Sequence, residues 1–150
     1  MHISNLRLPT ALAALLLAVT PVFAQGPPMG EHGDHSPLAQ SMKTIQMGFR
    51  TLKRQISDPT KKDDSVKLVA KMKDAVKKSE TYEPPSAADL PAAEKPAFIA
   101  DYKKQLEGVA ATLDKLSAAI TAGDTATASK LLDTINQEKR EGHGKFNSDD

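Results

Sequence analysis

The stretch 96-PAFIADYKKQLEGVAATLDKLSAAITAGD-124 decides the fold. Its residues Ile99, Tyr102, Leu106, Val109, Leu113, Leu116 and Ile120 recur at alternating steps of three and four, the spacing that stacks side chains along one face of an α-helix. Pro96 suits a helix start, where its missing N–H costs nothing, and Gly123 suits the left-handed residue that ends one. Asp124 then caps a further helix, in which Ala128, Leu131 or Leu132, Ile135, Lys139, Gly142 or His143 and Phe146 keep the same period. A helix with one apolar stripe must bury that stripe against a partner.

Two more helices precede this pair. The first opens with Ser36 as N-cap and Pro37 at the first helical position, and carries Leu38, Met42, Ile45, Phe49, Leu52 and Ile56 up to a stop at Asp58-Pro59. Asp63 or Asp64 is the expected cap of the second. Its inner side reads Val66, Val69, Met72, Ala75 or Val76 and Ser79, and it runs out near Tyr82. The segment Glu83 to Lys95 holds Pro84, Pro85 and Pro91 and cannot be helical through Pro84-Pro85. Nothing downstream of residue 24 alternates with period two over a useful length. The predicted fold is all-α, an antiparallel up-down-up-down four-helix bundle over residues 37–147.

Upstream of the bundle, one basic residue (Arg7), an apolar run from Leu8 to Val19 and the small-residue ending Val22-Phe23-Ala24 read as a secretory signal cut after Ala24. The run is too short for a confident membrane span and no second apolar stretch follows. Residues 25–36, ending QGPPMGEHGDHS, form a Gly, Pro and His leader with no apolar period. His32 and His35 stand in a stretch loosened by Gly30 and Gly33 with no third ligand in reach, so they read as solvated tail residues.

Composition narrows the chemistry further. The chain of 150 residues has no Cys, which excludes disulfide scaffolds, thiol catalysis, iron–sulfur clusters, covalent haem attachment and a lipid-anchored cysteine. Loss of residues 1–24 removes only Arg7, leaving 19 basic and 19 acidic residues, a balance that nominates neither nucleic acid nor an anionic membrane as partner. Bundle metalloenzymes turn several Glu and Glu-x-x-His pairs inward, whereas Glu107, Glu138 and Glu141 are scattered here. No Ser–His–Asp arrangement or Gly-rich phosphate loop is visible, and the expectation is that the protein is not an enzyme.

In this topology the start of the first helix and the end of the last are neighbours, which sets Met42 near His143. His143 lies roughly 20° around the helix from Leu132 and so points inward. A thioether facing an imidazole across a bundle is a recognised pair for haem iron. Taken alone, Met42 reads as flexible core filling and His143 as a solvated helix-end residue.

The segments Ser41-Met42-Lys43-Thr44-Ile45, Lys71-Met72-Lys73-Asp74-Ala75 with Pro84-Pro85, Ala122-Gly123-Asp124 and His143-Gly144-Lys145-Phe146 resemble, in order and spacing, the cytochrome b562 family. That family comprises small periplasmic four-helix bundles holding one non-covalent haem b. The resemblance implies Met42 and His143 as axial iron ligands. It implies that Met72, Pro84 and Pro85 pack on the porphyrin, that Tyr102 and Leu106 line the pocket from the third helix, and that Lys139 stands near the haem. Leu106 departs from the family's aromatic residue there and Lys139 from its Arg, which removes a bidentate fork. The first two loops also look a few residues longer than is usual in the family. The implied function is a monomeric periplasmic electron carrier serving another redox protein, with Lys139, Arg140 and Lys145 as cations near the haem edge. The alternative is a haem-free periplasmic binding or stress-response bundle.

Overall fold

The structure, a computed structural model, describes residues 36–147. The expected export signal, His32 and His35 lie outside the described residues.

Helix α1 spans Pro37–Gln55, and the Ser36 hydroxyl accepts the Ala39 N–H at 3.0 Å to cap it. Lys53 and Arg54 occupy its last turn, where the helix dipole favours cations. Helix α2 spans Lys62–Ser79 and starts earlier than the expected cap at Asp63 or Asp64. The reason is a 3₁₀ turn, Pro59–Lys61, that leads directly into it. Asp58 heads that turn, its carboxylate accepting both the Thr60 hydroxyl (2.7 Å) and N–H (2.9 Å), bonds that hold the carboxyl below its usual range. Asp63 and Asp64 sit in the first helical turn instead, still placed favourably against the dipole.

Helix α3 spans Lys95–Ala122 and ends at Gly123, whose φ of 75° is the left-handed conformation that glycine adopts without a Cβ clash. Asp124 accepts the Thr127 N–H at 2.9 Å and caps helix α4, Thr125–Phe146. Between α2 and α3 a second 3₁₀ turn, Pro85–Ala87, packs against α3 and α4, with Pro84 and Ala87 buried.

The four helices form a bundle, with no strand among the described residues. Each helix packs against its sequence neighbour along its length, α1 on α2, α2 on α3 and α3 on α4, whereas α1 and α4 barely touch. Leu52, Met72, Val76, Leu113, Leu116 and Leu132 are fully or almost fully buried in the shared core. Three inter-helix ion pairs lie on the surface: Lys73 with Asp114 at 2.6 Å, Lys145 with Asp101 at 2.9 Å and Lys53 with Asp133 at 3.9 Å. Each is exposed enough that its contribution is small, about 0–1 kcal/mol.

Close approach of α1 and α2 depends on Gly48. A β-carbon at that position would lie 2.5 Å from Met72 Cγ and 2.6 Å from its sulfur, so the Met72 side chain fills the notch that the glycine leaves. Gly48→Ala gains helix propensity of about 1 kcal/mol but overpacks a buried site at a cost of about 1–3 kcal/mol. We expect a net destabilisation of up to about 2 kcal/mol in urea unfolding, and a Met72→Ala partner substitution that is less than additive with it, because the second change vacates the space the first one needs.

Candidate functional site

A cleft of about 700 Å³ opens where α1 and α4 part. This volume lies within the range of about 300–1,000 Å³ common to small-molecule and cofactor sites. The first turns of α1 and the last turns of α4 form its walls, α3 its floor, and Pro84 and Pro85 close one end. Small residues on the walls, Ala39 and Gly142, keep the two helices from filling the space with their own side chains.

Seven of the eight residues singled out in the sequence line this cleft. Met42 is half-buried on the α1 wall and His143 is exposed on the α4 wall, so a thioether and an imidazole enter one space from opposite sides. The side-chain hydrogen bonds at this end of α4 engage Gln137 with Glu141, Glu138 with Thr112 and Lys145 with Asp101, leaving the His143 ring available as a ligand. Tyr102 and Leu106 are buried in the floor, Pro84 is buried, and Pro85 and Lys139 are half-buried. Met72 is the exception. It is fully buried beneath Gly48 and does not reach the cleft wall, because the notch in α1 takes its side chain.

Aromatic contacts stiffen the closed end. The Phe146 ring meets Phe98 at 5.1 Å and Tyr102 at 5.3 Å between centroids, both edge-on. The Tyr102 hydroxyl donates to the Ser79 carbonyl at 3.3 Å. Burial, and secondarily the Glu80 charge, push its pKa up to about 12, so it stays a neutral wall. Lys145, expected as a cation near the haem edge, is bonded to Asp101 and stands 5.2 Å over the Phe146 ring, which fastens the last turn of α4 to α3.

Sequence reasoning missed Glu138, which it had set among scattered acids. Its side chain lies on the cleft wall; Oε1 accepts the Thr112 hydroxyl at 2.8 Å, and Oε2 is buried with no partner. Burial raises its carboxyl above the usual range, partly opposed by the Thr112 hydrogen bond. The available signal was its step of three from Ile135, which places it beside the inner stripe just as the step of four places Lys139.

No group of three or more His, Cys, Asp or Glu able to hold a metal ion occurs among the described residues. What the cleft does offer is one soft donor from each wall, apolar and aromatic sides and an opening to solvent, a donor set that fits a planar apolar ligand with a metal at its centre. No helix among the described residues is long and apolar enough to cross a membrane.

The comparisons with known proteins give one result. No curated protein and no solved structure matches the chain. The profile of cytochrome b562 matches residues 37–147, the whole bundle from the first residue of α1 to just past the end of α4. The chain therefore belongs to the cytochrome b562 family.

Proposed function

We propose that the protein is an exported electron carrier that holds one non-covalent haem b in the cleft between α1 and α4. The observation that supports this most is the entry of Met42 and His143 into one cleft from opposite walls. Met42 and His143 would hold the iron from opposite walls of the cleft. That arrangement suits electron transfer and leaves no position for oxygen or peroxide. Bound haem supplies one-electron exchange, and a thioether opposite an imidazole favours the reduced state relative to two imidazoles.

The chain's own residues orient and enclose the group. Tyr102, Leu106, Phe49 and Phe146 offer apolar surface, Pro84 and Pro85 a rigid edge, and Lys43 and Lys139 point charges for carboxylate substituents. Residues 1–24 support export to the periplasm, where the electron donor and acceptor would be other redox proteins and the carrier a monomer.

The spectrum of protein supplied with haemin tests this reading. A Soret band with a six-coordinate low-spin pattern is expected, reversible on reduction. His143→Ala should abolish the low-spin pattern, and Met42→Ala should weaken haem binding by about tenfold or more, in line with the loss of a coordinating contact. If neither variant alters the visible spectrum, the ligand assignment is wrong. In thermal unfolding, haemin at about a hundred times its Kd should raise Tm by about 10 °C through preferential binding to the folded state. Equal midpoints with and without haemin would contradict haem binding in the fold.

A further inference from the structure

Glu138 is the one carboxyl that lines the cleft, half-buried with its Oε2 shut off from solvent, and the electron-carrier reading gives it no task. Its surroundings are unequal. From α3, Thr112 donates to Oε1 at 2.8 Å, Gln105 donates to its main-chain carbonyl at 3.3 Å, and Lys115 supplies a nearby positive charge. From its own helix, Glu141 supplies a nearby negative charge, and Lys139 and His143 line the same cleft. Across the cleft α1 contributes Lys43, Gln46 and Met42, and α2 contributes only Val76. Through all of this Oε2 stays buried and unpartnered.

A carboxylate held so is costly, because a buried oxygen without a donor forfeits its hydration. A proton on Oε2 removes the charge while Oε1 keeps its bond to Thr112. The open side of the cleft gives solvent protons a route. Resting on the haem reading above, we propose that Glu138 is a redox-linked proton acceptor of the cleft: when a one-electron donor protein reduces the iron, the carboxylate takes up one proton from solvent, and it returns that proton on reoxidation.

The coupling is electrostatic. An oxidised iron in a porphyrin dianion carries one net positive charge, which favours the ionised carboxylate nearby; the reduced centre is neutral and that support is lost. Charge gained as an electron is thus balanced by charge gained as a proton. By linkage, a proton held more tightly in the reduced form makes reduction easier at low pH, so the potential falls as pH rises through the Glu138 titration. The upward displacement of this carboxyl by burial moves that window toward neutral pH.

The test is the midpoint potential of haemin-loaded protein between pH 4 and 8, for the wild type, Glu138→Gln and Thr112→Val. The wild type should show one downward step. Glu138→Gln, which keeps the shape and removes the ionisation, should lose that step and stay near the wild type's acid-side potential. Thr112→Val, which removes the donor to the carboxylate, should move the step to higher pH. In the haem-free protein, carboxyl ¹³C resonances should include one that titrates above the others and is missing from Glu138→Gln. A wild-type pH profile in Glu138→Gln with an intact Soret band, or the absence of such a resonance, overturns the proposal alone. No Soret band in any of the three proteins overturns the haem reading and this proposal with it.

Discussion

The rest of the molecule depends on the separation of α1 from α4. A four-helix bundle has four lateral interfaces, and here three are closed while one is open. The closed three join helices that follow one another in sequence, so each is a hairpin whose connection holds the partners together. No connection links α1 to α4. Lys53 reaches Asp133 toward the end of α1, and a cleft separates the start of α1 from the end of α4. The opening therefore falls where Met42 and His143 stand, so topology brings two residues distant in sequence to one cleft.

An open interface is tolerable only if the rest is firm. Gly48 allows Met72 to seat against α1, and Tyr102, Phe98 and Phe146 interlock beneath the cleft. Charge arrangement points the same way. Between Pro37 and Ser79 stand eleven Lys or Arg against four Asp, while from Glu80 to Phe146 there are eight Lys or Arg against eleven Asp or Glu. Lys53 and Lys73 of the first hairpin accordingly pair with Asp133 and Asp114 of the second. A net charge near zero conceals this segregation, which opposes like-with-like packing of hairpins more than it strengthens any one contact.

Periodicity revealed the helices because each stripe is a local property of one segment. The stop at Gly123 and the cap at Asp124 were legible for the same reason, as was the convergence of Met42 and His143 once the helix order was known. What escaped were properties of pairs. Where Met72 points depends on a hole that only α1 offers. The start of α2 depends on a 3₁₀ turn in which Asp58, five residues upstream of the expected cap, has already captured Thr60. The pairing of Lys145 was not legible because its partner, Asp101, is on another helix. Glu138 was set among scattered acids because its hydrogen-bond partners, Thr112 and Gln105, belong to α3, although its step of three from Ile135 already placed it beside the inner stripe.

Aromatic scarcity acquires a different meaning once the residues are located. Only two Tyr and four Phe occur in the whole chain. Phe49, Tyr102 and Phe146 line the cleft, and Phe98 packs on Phe146 from behind. Tyr82 alone among the described aromatics is exposed and apart. The core away from the cleft has no aromatic ring and is built from Leu, Ile, Val, Ala and Met72 that interdigitate in a closed bundle. Flat rigid rings suit the opposite need, a wall that stays in place beside a planar guest without collapsing into the space it occupies. The few aromatics are thus concentrated where the bundle is left open, and with no Cys in the chain a guest there would have no thioether attachment.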